Sequence, residues 1–345
     1  MNILILDDGR AGHRKQAMAL FALTNRILAK KGIGQKEIDC KIITTNFDNL
    51  LQKIVYKIIF GNLIKSDYLL NLVAKILTPS IILEISKFSP DLIISCGYSS
   101  SCMSAISSNK DALKIAILYP GANYADKFSL VITPQHDLVK IEDISNIVTT
   151  KFALTEDLIH CDRGAKKLKL GLLVGGNSNT HSYTKKFSRN ICEGLISFVK
   201  TNDLEVMWTP SRRTPPYFLS IFDDALMKSD GVRHLFKCLT SPNASEDILR
   251  ECDWVLVSAD SISMISEALA AGCKVTVFRP PRRLGFSKKN RAFINSLEAL
   301  GYIRVCEIDE ISRQQYPMTQ ENSYKLFCED RNSIEKSISQ LLHRF

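Results

Sequence analysis

Short apolar runs rich in β-branched residues recur along the chain, and most lack alternation between polar and apolar positions. Such a run predicts a strand buried on both faces, as in a parallel sheet covered by helices. The predicted strands are Ile3–Leu6, Leu92–Ser95, Ile115–Leu118, Leu130–Thr133, Leu170–Val174, Glu205–Thr209, Trp254–Ser258 and Val275–Phe278.

Amphipathic segments separate these strands. Apolar residues at helical spacing run from Ala17 to Leu28 and again from Phe187 to Val199. The alternation of strands and helices predicts an α/β fold with doubly wound parallel sheets flanked by helices.

The chain begins a strand, a glycine loop and a helix twice, at Ile3 and at Leu170, with a polar stretch from Thr155 to Lys169 before the second start. This predicts two facing Rossmann-like domains, 1–160 and 161–325. Residues 326–345 are predicted to form a helix that packs back on the N-terminal domain. A chain of 345 residues is long enough to bury a core in each half.

The net charge of +9, from 45 basic and 36 acidic residues, favours an anionic partner. Nucleotides, phosphates and acidic lipid surfaces all fit, and an excess of lysine that only aids solubility fits as well. Nucleic acid is not expected, because the basic run has few interleaved aromatic residues and no nucleic-acid-binding motif is present.

The ten cysteines form no C-x-x-C pair and no set with zinc-ligand spacing. They are predicted to be reduced, small buried residues of a cytoplasmic protein. We predict no signal peptide and no transmembrane helix. The segment from Leu50 to Ile85 is apolar with scattered lysines, which fits either a peripheral contact with a membrane surface or ordinary packing between domains.

The first candidate site is the loop D-D-G-R-A-G-H-R, from Asp7 to Arg14, which follows the first predicted strand. Ligands of open parallel sheets bind at the carboxyl ends of strands. Asp7, Asp8 and His13 can accept a proton there, and the arginines can hold an anion. The alternative is that Asp8 caps the helix and the rest is a solvated turn.

The second candidate site is G-G-N-S-N-T-H-S-Y-T, which follows the strand Leu170–Val174. Gly175, Gly176, Asn177 and Ser178 would cradle a phosphate through outward-pointing backbone N–H groups. The ending G-K-[ST] of an ATP-binding P-loop is absent. The alternative is an ordinary capped turn.

Two further loops carry candidate anion ligands. T-P-S-R-R-T-P-P places Arg212 and Arg213 beside Thr214 on a proline-stiffened loop, and arginine binds phosphate oxygens bidentately. In the segment Ser258–Gly272, Asp260 or Ser261 would cap a helix and Glu267 could hydrogen-bond a ribose diol. The alternative for this segment is a capped amphipathic helix with no ligand.

A basic segment follows, since Asp and Glu are absent from Ala268 to Leu297. It could hold a diphosphate or an acidic acceptor, or it could be a solvated charged face. Its cations are Lys274, Arg279, Arg282, Arg283, Lys288, Lys289 and Arg291.

The motifs G-G-N-S-N-T-H-S-Y-T, S-R-R-T-P and A-D-S-I-S-M-I-S-E-A-L-A-A-G, in this order and spacing, resemble the elongated-mitochondria fission protein family and its bacterial relatives. Those relatives are described as glycosyltransferases or, in older naming, as nucleoside-diphosphate-sugar epimerases. The resemblance spans nearly the whole chain and is strongest from Gly175 to Gly272.

The resemblance implies a fold similar to GT-B, with the acceptor in the N-terminal domain and a nucleotide-sugar donor in the C-terminal one. It also implies that Ser211, Arg212, Arg213, Ser261, Ser263 and Glu267 line the donor side. Glu267 to Gly272 fits the E-x4-G pattern by which such folds hold the nucleotide ribose.

The first hypothesis is an inverting, metal-independent glycosyltransferase in which His13, Asp8 or Asp7 is the base. Histidine changes charge nearest neutral pH, and no D-x-D metal motif is present. The nucleotide-sugar would be the donor substrate, with no cofactor and no metal. The acceptor would be lipid-linked or of lipopolysaccharide type. The alternatives are a nucleotide-sugar epimerase and a non-enzymatic protein that binds a membrane or a partner.

Overall fold

The computed structural model describes residues 1–45, 78–107, 111–137, 145–156, 169–178, 180–202, 204–227, 235–237, 244–281, 283, 288–314, 320–321 and 323–344. The chain divides into two compact units. Unit 1 comprises Met1–Glu156 and Cys328–Phe345, and unit 2 comprises Asp157–Phe327. The predicted domain boundary at residues 160 and 161 lies outside the described residues.

Unit 1 is built on a six-stranded parallel sheet with the order β2-β1-β3-β4-β5-β6. Its strands are β1 (Asn2–Asp7), β2 (Asp39–Thr44), β3 (Leu92–Cys96), β4 (Leu113–Ile117), β5 (Leu130–Pro134) and β6 (Ile147–Thr150). Its helices include α1 (Ala11–Lys30), α2 (Pro79–Phe88) and α3 (Tyr98–Ile106).

Both faces of this sheet are covered, because successive side chains of β1 point to opposite sides. Ile3 and Ile5 pack with residues of α1, whereas Leu4 and Leu6 pack with residues of α2 and α3. The continuous apolar run Ile3–Leu6 is therefore explained by burial on two sides.

Unit 2 is built on a second six-stranded parallel sheet, with the order β12-β11-β10-β7-β8-β9. Its strands are β7 (Lys169–Val174), β8 (Glu205–Pro210), β9 (Leu235–Lys237), β10 (Trp254–Ser258), β11 (Lys274–Phe278) and β12 (Arg304–Cys306). Its helices include α4 (Lys185–Asn202), α5 (Pro216–Met227), α6 (Ala244–Glu251), α7 (Ile262–Ala270) and α8 (Lys288–Ala299). A last helix, α9 (Ser323–Leu341), begins in unit 2 and continues into unit 1.

Helix α9 contains the boundary between the two units. Ser323, at its start, donates a hydrogen bond to the carbonyl of Leu269 in unit 2. Ile334 and Ile338, further along, belong to the core of unit 1 with Ile3 and Ile5. Residues 328–345 thus form part of the N-terminal unit.

Each sheet reverses its strand order next to its first strand. In unit 1 the chain goes from β1 outward to β2 and returns to β3 on the other side, and in unit 2 β10 returns beside β7. Ligands of doubly wound sheets bind at such switch points, outside the carboxyl ends of the strands. The loops that follow β1, β3, β7 and β10 are therefore the favoured places for a site.

These two parallel sheets with flanking helices confirm the predicted doubly wound α/β fold. The eight described cysteines form no disulfide, and six of them are buried. No helix among the described residues is long and apolar enough to cross a membrane. Most of the apolar segment Leu50–Ile85 lies outside the described residues.

Candidate functional site

In unit 1, the loop after β1 brings two of the predicted bases together. The Nδ1 atom of His13 lies 2.9 Å from Oδ2 of Asp8. The Oδ1 atom of Asp8 accepts a hydrogen bond from the backbone N–H of Arg10 at 3.1 Å, which fixes the carboxylate. Only 17% of the His13 side chain and 8% of the Asp8 side chain are exposed.

Asp7 has a different role. Its Oδ1 accepts the backbone N–H of Gly9 at 2.9 Å, and its Oδ2 pairs with Arg14 at 3.5 Å. Its side chain is almost completely buried. The structure therefore pairs Asp8 with His13 and uses Asp7 to hold the turn.

The imidazole of His13 rests on the loop after β3. Gly97 has a φ of 85°, and a Cβ atom there would lie 2.5 Å from the His13 ring and 3.3 Å from Oδ2 of Asp8. Glycine is required both by the backbone conformation and by this close approach. The glycine lies at the switch point between β1 and β3.

The surroundings of Asp8 favour its charged form. Burial acts to raise its pKa, but the hydrogen bond and the charge of His13, with Arg10, lower the pKa below its ordinary 3.8. A carboxylate only accepts hydrogen bonds, so His13 donates from Nδ1, and in the neutral imidazole Nε2 carries the lone pair. The pair is thus suited to take a proton at Nε2.

In unit 2, Asp260 is the centre of a buried polar network at the end of β10. It accepts hydrogen bonds from Arg213 Nη2 at 2.8 Å, Tyr183 Oη at 3.1 Å and the backbone N–H of Gly176 at 3.2 Å. The hydroxyl of Ser258 donates to it as well. The carboxylate itself is fully buried.

The glycines of the G-G motif make room for this network. A Cβ on Gly175 would lie 1.9 Å from Asp260 Oδ1, and one on Gly176 would lie 2.1 Å from the carbonyl of Arg213. These glycines therefore allow the loop after β7 to pack against Asp260 and the turn after β8.

The backbone N–H groups of this loop differ from the expected outward-pointing cradle. Those of Gly176, Asn177 and Ser178 are donated to Asp260, Arg213 and His181, respectively. The side chain of Asn177 accepts from Tyr183, and that of Ser178 accepts from His181. These three backbone donors of the loop are thus already satisfied by other groups of the protein.

The two predicted arginines are not equivalent. The Arg213 side chain is 42% exposed, but its Nη2 donates to Asp260 and its Nη1 donates to the carbonyl of Asn177, so it is largely committed to the network. Arg212 is exposed, and no described residue pairs with it. Ser211 and Thr214 close the turn, since Thr214 donates its backbone N–H to the Ser211 carbonyl and Ser211 Oγ accepts from Arg213.

Helix α7 begins as predicted, with Ser261 as N-cap. The hydroxyl oxygen of Ser261 accepts the backbone N–H of Met264 at 3.4 Å. The first N–H groups of a helix and its dipole favour an anion at this end. Ser263 is half-buried in the first turn, and Glu267 is buried in the second. Asp260, Ser261 and Ser263 therefore lie together at the switch point of unit 2.

The basic segment is divided among different roles. Lys274 starts β11 and donates to the Gln320 carbonyl, and burial lowers its pKa. Arg279 lies at the end of β11, where its Nη1 is 2.9 Å from Glu307. Arg282 lies outside the described residues.

Sequence reasoning missed Tyr183 as a member of the Asp260 network. Its hydroxyl lies 2.5 Å from Ser258 Oγ, and burial, followed by the Asp260 charge, raises its pKa well above the ordinary value. A tyrosine in a polar loop that follows a buried strand gives little signal in one sequence. The residues next to Tyr183 in the sequence do not indicate that its hydroxyl contacts Asp260.

The chain belongs to the mitochondrial fission ELM1 family, whose sequence model matches residues 11–330. The resemblance read from the loops of unit 2 is thereby confirmed. A relative at 23% identity is the protein named "Uncharacterized protein RP120" of Rickettsia prowazekii (strain Madrid E), over 97% of both chains.

Solved structures of nucleotide-sugar enzymes share the fold. The glycosyltransferase SnogD from Streptomyces nogalater has a TM-score of 0.58 at 13% identity, covering 99% of this chain and 98% of that chain. UGT71G1 from Medicago truncatula, solved with UDP-glucose, has a TM-score of 0.57 at 11% identity, covering 99% and 97%. The UDP-GlcNAc 2-epimerase from Neisseria meningitidis, bound to UDP-GlcNAc, has a TM-score of 0.53 at 14% identity, covering 100% and 99%.

Proposed function

We propose that this protein is an inverting, metal-independent glycosyltransferase that uses a nucleotide-sugar donor. The observation that carries the proposal is the His13–Asp8 pair at the carboxyl end of β1, next to the switch point of unit 1. A buried carboxylate that fixes one imidazole nitrogen leaves the other available as a general base. The shared fold of known glycosyltransferases supports the same assignment.

Unit 2 would hold the donor. Arg212 is an exposed cation on the turn after β8 with which no described residue pairs, and the capped start of α7 offers N–H groups and the Ser263 hydroxyl. Both features favour a diphosphate. Glu267, on the same helix, would bind the ribose. The nucleotide-sugars bound by UGT71G1 and the Neisseria epimerase support a donor of this class.

In the proposed reaction, Nε2 of His13 removes the proton of an acceptor hydroxyl. The hydroxyl oxygen then forms a bond to the anomeric carbon while the bond from that carbon to the diphosphate oxygen breaks. The configuration at the anomeric carbon is inverted, and the nucleoside diphosphate leaves as an anion. Arg212 would stabilise the charge that develops on it.

The acceptor is proposed to be lipid-linked or of lipopolysaccharide type, with the protein peripheral on the cytoplasmic face of a membrane. The support is the basic, apolar segment Leu50–Ile85. Flotation with vesicles containing anionic lipid tests it, with K53E/K57E/K65E as the variant. Equal flotation of both proteins would remove this part of the proposal.

The first experiment is a thermal-shift screen against UDP-, CMP-, GDP- and ADP-sugars. Ligand at about 100 times its Kd stabilises a protein by about 2.7 kcal/mol. We expect a shift with one nucleotide family that is lost in Arg212→Gln and kept in Arg304→Gln, a matched change at an exposed residue of β12. The absence of any shift in folded protein would favour a non-enzymatic binding protein instead.

Turnover then separates the enzyme classes. Incubation of the bound nucleotide-sugar alone would give an epimerised sugar if the protein were an epimerase, the second candidate, which the Neisseria fold match supports. A transferase leaves the donor intact or hydrolyses it slowly until an acceptor is added. Activity that survives excess EDTA is expected for the metal-independent reaction.

A further inference from the structure

A cavity of about 300 Å³ lies in unit 2, at the carboxyl ends of β10 and β11. Ala259 follows β10 and Arg279 follows β11, and helix α8 contributes the remaining wall with Asn290, Arg291, Ile294 and Asn295. Its polar lining comes from His181, Arg279, Asn290, Arg291 and Asn295. The volume lies at the lower end of the range for small-molecule pockets.

The charged residues of the lining are all basic. The lining includes two arginines, two asparagines and one histidine, and none of its described residues is acidic. Arg279 also lines a neighbouring cavity, where its Nη1 atom lies 2.9 Å from Oε1 of Glu307, and this pairing occupies one of the five N–H donors of the guanidinium. Guanidinium and amide donors together favour a planar, oxygen-rich anion.

The wall that carries His181 is fixed in place. His181 is buried, its N–H is bound by Ser178 Oγ at 3.0 Å, and its Nδ1 lies 2.9 Å from Thr180 Oγ1. Two backbone hydrogen bonds, from Arg283 to Thr180 and from Ser182 to Pro281, join this loop to the loop after β11. A cavity with a fixed wall binds its ligand without first ordering that wall.

The cavity adjoins the start of α7, since Ala259 lies directly before Asp260 and Ser261. A ligand whose diphosphate met Ser261 would therefore carry a neighbouring group into this basic pocket. We propose that the cavity binds a carboxylate on the sugar of the donor, so that the donor is a nucleotide of an acidic, uronate-type sugar. This inference rests on the proposed function, and the donor's own phosphate is the competing source of an anion.

The test compares donors that differ only in the carboxylate. Dissociation constants are measured by calorimetry for UDP-glucose against UDP-glucuronate and for GDP-mannose against GDP-mannuronate, with UDP and GDP alone. In one pair we expect the acidic sugar to bind about 10-fold more tightly, which corresponds to about 1.4 kcal/mol, because a carboxylate forms charge-assisted hydrogen bonds.

Three variants on α8 make the comparison specific. Asn295→Asp places a negative charge in the cavity lining, whereas Ser296→Asp places the same charge at the next exposed position of the helix, outside the lining. Asn295→Asp should abolish the preference for the acidic sugar and leave the neutral donor unchanged. Ser296→Asp should keep the preference. Arg291→Gln should act like Asn295→Asp.

The other results overturn the inference in distinguishable ways. Equal affinities within both pairs, with UDP or GDP still bound, would refute the acidic sugar and leave the proposed function standing. Equal weakening of the nucleoside diphosphate and both sugars in Arg291→Gln would assign the cavity to phosphate. If no nucleotide binds to folded wild-type protein, the proposed function fails and the inference fails with it.

Discussion

His13 Nδ1 and Asp8 Oδ2 lie 2.9 Å apart within one loop, so a single turn of chain supplies both the proposed base and a carboxylate that orients it. The ring also rests against Gly97, where a Cβ atom would come within 2.5 Å of it. The orientation of the imidazole is therefore set by a hydrogen bond on one side and by packing on the other.

Substitution of either member of this pair should reduce turnover by the proposed transferase. Loss of a general base costs about 10²- to 10⁴-fold, so His13→Gln should lower kcat in that range. Asp8→Asn should lower kcat less, because the base remains but its tautomer is no longer fixed. The measurement is initial rate with saturating donor, and His343→Gln, an exposed histidine of unit 1, is the matched control. Wild-type rates in His13→Gln would exclude His13 as the base.

The interior strands of both sheets could be predicted from the sequence, but the outermost strands could not. The four strands that the pattern missed are β2, β6, β9 and β12, and each lies at the edge of a sheet. An edge strand has one neighbour, and in β2 only Ile43 is buried. Without burial on two faces there is no continuous apolar run to detect.

The candidate loops could be located because buried strands end abruptly in polar, glycine-containing segments. The roles of single residues could not, since they depend on contacts between distant segments. Gly176, for example, contacts Asp260 through its N–H and crowds the Arg213 carbonyl. From the sequence, Gly176 is expected to donate its N–H to a bound phosphate, whereas in the structure this N–H donates to the carboxylate of Asp260.

Gly176→Ala should destabilise unit 2 and displace Arg212. A Cβ atom at this position would lie 2.1 Å from the Arg213 backbone, which cannot yield as a flexible side chain does. A loss of about 1–3 kcal/mol is expected from such overpacking. Gly194→Ala is the matched control, because Gly194 lies inside helix α4 and a Cβ atom there would be 3.5 Å from its nearest neighbour, Ile311. Alanine at this helical position should stabilise by about 0.4–1 kcal/mol. Urea unfolding measures both, and equal stability of the two variants would contradict the packing argument.

Asp260→Asn should weaken the network while keeping its shape. The amide is neutral, so Arg213 loses its ion pair, and one of the donors from Tyr183, Ser258 and Gly176 loses an acceptor. Because the Arg213 side chain is 42% exposed, we expect a modest loss of about 1–3 kcal/mol. A double-mutant cycle with Arg213→Gln should give a coupling of about 1 kcal/mol or more. Additive effects of the two changes would show that the pair contributes nothing.

Asp330 should make unit 1 less stable as the pH rises. Burial raises its pKa to about 6, although the backbone N–H groups of Lys151 and Phe152 at 2.6 and 3.3 Å act to lower it. Between the ordinary pKa of 3.8 and about 6, the folded chain therefore holds a proton that the unfolded chain has released, so this contribution to stability is lost as the pH rises through that window. Asp8 acts in the opposite direction, because its lowered pKa makes its contribution to the stability of the fold decrease as the pH falls.

The comparison is thus the difference in Tm between wild type and Asp330→Asn from about pH 4 to pH 7. The Tm of Asp330→Asn should rise relative to that of the wild type as the pH rises. Asp330→Ala removes the hydrogen-bond acceptor and should have a lower Tm than Asp330→Asn at every pH. Parallel curves for wild type and Asp330→Asn would show that this carboxyl group does not titrate in the window.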